Sequence, residues 1–173
     1  MATVEMERKR YFIIQIRHYS YPYINIQLIL EQDGLMKLER ASKYYTINIP
    51  VPPYASDDLF VDVLSKIIPI IKEQYKPDVV AVSAGFDGHK DDPLLQLNLT
   101  VNSYYEVGKL LSSNFNNIFA CLEGGYKVKV LPHCVSAFLM GINKETSKLE
   151  FTEQRTVSAA NVQREFEDRI KSL

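Results

Sequence analysis

Between Ala84 and Pro93 the chain reads Ala-Gly-Phe-Asp-Gly-His-Lys-Asp-Asp-Pro, which places Asp87, His89, Asp91 and Asp92 inside one short stretch. Three carboxylates beside an imidazole are donors that a hard or borderline divalent cation such as zinc, manganese or magnesium accepts. The same stretch has a plainer reading, in which Asp-Asp-Pro is a turn, its aspartates bond nearby amides and Pro93 fixes φ. His89 alone is as readily a hydrogen-bonded loop residue as a ligand, and spacing does not decide. Further along, Glu123-Gly-Gly-Tyr126 presents a phenol after two glycines, either as an O–H donor or as a ring packed on its side. Gly85, Gly88, Gly124 and Gly125 are four of only seven glycines in the chain, so backbone freedom is concentrated in these two stretches.

Regular elements must bring the two stretches together. Tyr11 to Ile16 is a β-branched and aromatic run suited to a strand covered on both faces. An aromatic loop, His18 to Tyr23, is expected to break that strand at Pro22, and a short strand over Ile24 to Leu30 is the furthest assignment possible before Arg40. Tyr44 to Ile49 is strand-like and stopped by Pro50, Pro52 and Pro53. Ser56 then reads as an N-cap, Asp57 and Asp58 put negative charge on a first turn, and apolar pairs recur at helical spacing from Leu59 to Ile71, with Pro69 expected to kink the helix.

Val79 to Ser83 is a continuous apolar run of the kind found in buried parallel strands, and the unit repeats as a helix from about Thr100 to Ser113, capped by Thr100, and a strand at Ile118 to Leu122. A third helix is expected after Tyr126, reaching about Met140, and an amphipathic helix at about 158–171, with a polar surface connection over Gly141 to Thr156. This alternation favours βαβ crossovers and a mainly parallel sheet between helices. Loops leaving successive parallel strands share one sheet edge, so the stretches after Ser83 and after Leu122 are expected to meet there.

Composition bounds the rest. A chain of 173 residues has length for one domain, 1–173, with its core over about 11–141. An apolar fraction of 46% and a net charge of -1 describe an ordinary globular protein, and the mixed lysines, arginines and acids carry no basic stripe that would address nucleic acid. No apolar run approaches the roughly 20 residues of a membrane span and no leader is evident, so a cytoplasmic protein is expected. Cys121 and Cys134 fall in apolar elements and are expected to be reduced, buried thiols.

Val79-Val-Ala-Val-Ser-Ala-Gly-Phe-Asp-Gly-His-Lys-Asp-Asp-Pro-Leu94, then Leu97-Asn-Leu-Thr100 and Leu122-Glu-Gly-Gly-Tyr126, in this order and spacing, resemble the histone deacetylase superfamily, closest to its acetoin-utilisation and acetylpolyamine amidohydrolase-like branch. The resemblance is strong from about Tyr45 to Gly141; upstream, Ile-Arg-His18 and Tyr21-Pro-Tyr23 are similar to a family strand end and the aromatic pocket loop behind it, which would put Tyr23 at the pocket. It implies a three-layer αβα sandwich with a mainly parallel sheet, of the arginase/deacetylase type, here matching the C-terminal half. It also implies that Asp92, just before the proline, is a ligand of a catalytic metal, usually Zn2+, that Asp87, His89 and Asp91 are not, and that Tyr126, set by Gly124 and Gly125, donates its hydroxyl to the substrate carbonyl. A phenol suits that task because a pKa near ~10 keeps it protonated at neutral pH.

The family's remaining ligands come from an Asp-x-His motif upstream of these blocks, and its general base from paired histidines further upstream. The chain is read as carrying neither motif anywhere, and His18, His89 and His133 as solitary. Ile16, Arg17 and Ile24 also depart from the family's pattern. The resemblance therefore implies a truncated, disrupted or split deacetylase domain, acting on an acetylated lysine or polyamine amide only when completed, with Zn2+ not tightly held by this chain alone. An open sheet edge would drive self-association or binding of a complementary chain. The competing reading is a non-catalytic scaffold that docks another protein through that edge. A flavodoxin-like anion site at the diglycine is weaker, lacking Gly-x-Gly-x-x-Gly or a phosphate-loop lysine.

Overall fold

In the computed structural model the described residues are 10–19, 21–30, 46–94, 96–145 and 152–171. They form β1 (Arg10–Tyr19), β2 (Tyr21–Leu30), β3 (Thr46–Pro50), α1 (Asp57–Tyr75), β4 (Val79–Ala84), α2 (Val101–Asn114), β5 (Ile118–Leu122), α3 (Leu131–Ile142) and α4 (Ala160–Lys171). The strands make one sheet in the order β3-β2-β1-β4-β5. β1 and β5 flank β4 in parallel, whereas β2 runs antiparallel to both β1 and β3, so four of the five strands point the same way. The architecture is the expected α/β type.

The loop expected at His18 to Tyr23 is instead the closure of a hairpin. His18 pairs with Pro22 and Arg17 with Tyr23, and β2 continues as ten residues of strand. Pro22 is tolerated because it sits one pair from the turn in the β1–β2 ladder and before β3 joins β2 at Tyr23, so its missing N–H falls at the end of both ladders. Aromatic and β-branched residues on either side of Pro22 favour extended backbone, which outweighs the single breaker. Residues 31–45 lie outside the described ones.

The core is built where sequence periodicity placed it. Phe60, Leu64, Ile68 and Ile71 of α1 are fully buried and recur at helical spacing, and α1 stays helical on both sides of Pro69. On β4, Val80, Val82 and Ala84 are buried and alternate with less covered residues, so one sheet face carries the packed helices. Tyr104, Val107 and Leu111 of α2 and Cys134, Ala137 and Phe138 of α3 complete the cluster. The two helices meet backbone to backbone: a Cβ at Gly108 would strike the Phe138 carbonyl oxygen, and one at Gly141 would strike that of Tyr105.

β5 behaves differently from β4. It is the edge of the sheet, and Phe119, Ala120, Cys121 and Leu122 are all exposed, Phe119 by 52% and Leu122 by 61%. The expectation of two buried thiols is thus corrected. Cys134 is buried and Cys121 exposed, because an apolar strand is covered only where something packs on it.

Candidate active site

The loops leaving β4 and β5 lie at one sheet edge and are stitched together. Glu123 N–H donates to the Ala84 carbonyl at 2.9 Å, Phe86 N–H to the Gly124 carbonyl at 3.1 Å, and Ser83 Oγ to Glu123 Oε2 at 2.8 Å. The diglycine is required by conformation and by space. Gly124 and Gly125 have φ of 149° and 118°; a Cβ on Gly124 would press on the Asp87 carboxylate at 3.2 Å, and one on Gly125 would overlap Leu131 Cδ1 at 2.7 Å.

Asp92 sits at the centre of the junction, only 6% exposed. Its Oδ2 accepts the N–H groups of Tyr126 at 2.7 Å and Lys127 at 3.0 Å, and its Oδ1 accepts that of Leu94 at 3.0 Å. The carboxylate thereby spans both loops. With about four acceptor positions on a carboxylate and three taken, one direction on Oδ1 remains for a further partner. Tyr126 is anchored through its backbone while its ring stays 56% exposed, so the phenol is not packed into the core. By register Tyr23 lies at the same end of the sheet, since β1 meets β4 at Gln15–Ser83 and Tyr23 pairs with Arg17 two residues beyond, but it belongs to a strand and not to a loop.

His89 is 1% exposed and fully committed. Its Nδ1 accepts the Asp91 N–H at 3.1 Å, which puts the ring proton on Nε2, where the Glu153 carboxylate receives it at 3.0 Å. Glu153 Oε2 also accepts the Val101 N–H at the start of α2, and Lys90 Nζ stands 3.6 Å from Oε1. Burial would raise the Glu153 pKa, but the bonds from His89 and Val101 with the charge of Lys90 outweigh it and hold the carboxyl below its usual value. The connection expected to be a surface segment therefore carries a partly buried residue of the junction. Glu153 lies 64 positions from His89, and no local pattern announces it.

The expectation that the chain holds no Asp-x-His triplet is corrected by Asp87-Gly-His89, within the acidic turn. It does not assemble a site with Asp92. The candidate ligand atoms that converge among the described residues, within 4.8 Å of one another, belong to His89, Asp91 and Glu153. Both ring nitrogens of His89 are already used, one of them on Glu153, so this trio is closed by hydrogen bonds. For the zinc that the resemblance implies, the described residues fit one coordination position, on Asp92, where a tetrahedral site draws three or four from the protein.

Tyr104 supports the junction from below. Its hydroxyl donates to the Phe86 carbonyl at 3.1 Å and its ring centroid lies 5.0 Å from that of Phe86. Complete burial, with the nearby Cys134, Asp87, Asp92 and Asp57 charges adding to it, pushes the Tyr104 hydroxyl well above the usual phenol value, so it remains a donor.

Residues 14–142 match the family model for the histone deacetylase domain. A probable deacetylase of Archaeoglobus fulgidus is 37% identical over 95 residues, covering 51% of this chain and 26% of that protein. An acetoin utilization protein AcuC of Staphylococcus xylosus is 32% identical over 104 residues, covering 57% and 27%. Among solved structures, an acetylpolyamine aminohydrolase from Burkholderia pseudomallei superposes with a TM-score of 0.51 at 26% identity, covering 56% of this chain and 28% of that one. The chain spans about a quarter of the length of these relatives. With three quarters of its residues inside the matched region and its two loops joined through Asp92, the chain belongs to the histone deacetylase family.

Proposed function

We propose that this chain supplies the Asp92 and Tyr126 side of a metal-dependent amidohydrolase site that removes acetyl groups from lysine or polyamine nitrogens. The observation that carries the reading is the Asp92 carboxylate, buried, bonded to both loops, and bonded in particular to the backbone of Tyr126, whose own ring is exposed. In this reading the remaining direction of Oδ1 meets the cation, with Zn2+ the expected metal, and the Tyr126 hydroxyl donates to the acyl oxygen as negative charge develops on it. Gly124 and Gly125 shape the turn that presents the phenol, and Tyr23, at the same end of the sheet by register, is the further pocket residue of this reading.

The remaining ligands and the general base come, in this proposal, from a chain carrying the rest of the deacetylase domain, docked along β5. Two features favour that occupant: β5 is an apolar edge strand uncovered on both faces, and it leads directly into the incomplete site. Co-expression with a segment bearing an Asp-x-His motif and paired histidines is the test. A stable complex with zinc and acetyl-lysine hydrolysis is expected. Full activity in Asp92→Ala and Tyr126→Phe complexes, or hydrolysis by this chain alone with stoichiometric zinc, overturns the reading; self-association without capture of that segment overturns the choice of occupant.

A second reading, a non-catalytic docking module, draws on the same exposed β5 and on the single coordination position. It expects the complex to form without metal or hydrolysis.

A further inference from the structure

Residues beyond the family match run back across the molecule and hold the junction from outside. Thr156 N–H bonds Asp57 Oδ2 at 2.9 Å and its hydroxyl bonds the Asn98 carbonyl at 2.6 Å, while the Ser158 hydroxyl donates to Asp58 Oδ1 at 2.7 Å and accepts the Ser56 N–H at 2.9 Å. Asp57, 3% exposed, also takes Thr100 N–H, Thr100 Oγ1 and Ser103 Oγ. These bonds tie the strap to the starts of α1 and α2. Glu153 is the strap residue that reaches the acidic turn itself.

We propose that Glu153 is a positioning residue for Asp92, acting through the His89 ring. Each part of His89 holds a different piece of the turn: Nδ1 takes the Asp91 amide, its carbonyl takes the Asp92 amide at 2.8 Å, and its own amide bonds the Phe86 carbonyl. A ring free to flip would release Asp91 and loosen the backbone that aims the Asp92 carboxylate at Tyr126 and Lys127. Glu153 prevents the flip by accepting Nε2–H, and because the same carboxylate caps α2 through Val101, the ring is referenced to a helix and not to a mobile chain. The strap thus belongs to the machinery of the site through the acidic turn. The catalytic weight of this role rests on the function proposed for Asp92; the geometric role does not.

The test is spectroscopic and uses the full chain without metal. Nitrogen-15 spectra of the His89 ring should show protonation at Nε2, and the Asp91, Asp92, Tyr126 and Lys127 amides serve as reporters. Glu153→Ala is expected to lose that tautomer preference and shift all four amides, with Glu153→Gln restoring both because its carbonyl still accepts Nε2–H. Ser158→Ala, which cuts the strap elsewhere, is expected to lower stability and leave the four amides in place. Should Glu153→Ala fail to fold, Glu153→Asp carries the same test, one methylene too short to reach the ring. Reporter amides that move no more in the Glu153 variants than in Ser158→Ala, or that Gln does not restore, overturn the proposal. Reporters that respond as expected in a chain that never yields an active complex would defeat the function proposed for Asp92 and leave the positioning intact.

Discussion

The carboxylate of Asp92 accepts the backbone N–H of Tyr126 at 2.7 Å, across 34 positions of sequence. Asp92 therefore has a structural task that exists without any metal. Asp92→Ala would strand the N–H groups of Leu94, Tyr126 and Lys127, so a stability loss of about 3 kcal/mol is expected from urea unfolding of the metal-free chain. Loss of metal in that variant has to be read on the folded fraction. A midpoint unchanged from the parent would show that the three bonds contribute nothing.

Tyr126→Phe makes the opposite case. Its ring is largely exposed and its anchoring bond is a backbone one, so stability is expected to change by less than about 0.5 kcal/mol. In a completed enzyme the same change is expected to lower kcat by on the order of 10²-fold, the cost of one oxyanion donor. Single-turnover rates at matched metal content separate this from a loss of assembly.

The two thiols are expected to differ in reactivity. Burial, with the Glu153 and Asp92 charges behind it, pushes the Cys134 thiol up to about 12, while Cys121 is exposed on β5. A disulfide reagent near pH 8 should label Cys121 in the folded chain and both cysteines in urea. Native labelling of Cys134 at a comparable rate would contradict the packing of α3.

Acid should loosen the strap. Two of the carboxyl groups that hold it are depressed below their usual values: Glu153 as described, and Asp58 because bonds from Ser158, Leu59 and Gln163 outweigh a burial effect that acts upward. A depressed folded pKa contributes stability that is present above the ordinary carboxylate range and is lost as pH falls through and below roughly 4. Stability measured across that window should fall less steeply in Glu153→Gln than in the parent. An equal slope would assign the acid sensitivity to other carboxylates.

How much of this was legible depended on distance along the chain. β4, β5 and α2 with its Thr100 cap follow from local runs, periodicity and a cap, and the meeting of the two loops follows from the shared edge of parallel strands joined by a crossover helix. The hairpin at Pro22 was missed because a lone proline reads as a breaker, whereas its cost depends on whether a neighbouring strand needs its N–H. Cys121 was misplaced because an apolar strand has the same composition whether or not another layer covers it. Glu153 could not be read at all: its partners lie 52 and 64 positions away, and a Thr-Glu-Gln-Arg stretch carries no period or spacing that points to them.

Gly108→Ala sets two magnitudes against each other. Alanine is the better helix former by about 1 kcal/mol, but its Cβ would overlap the Phe138 carbonyl, and backbone cannot step aside as a side chain can. A net loss of about 2 kcal/mol is expected in thermal or urea unfolding. A gain would mean that α2 and α3 can separate without cost.

That close approach also limits how the molecule can deform. The acidic turn feeds into α2 and the diglycine turn into α3, so any drift of one loop from the other would drag two rods past each other at a point where their main chains already touch. Sliding of that kind is blocked sterically. Movement at the junction is then expected in single side chains such as the Tyr126 ring, with the spacing of the two loops held by the contact of α2 with α3.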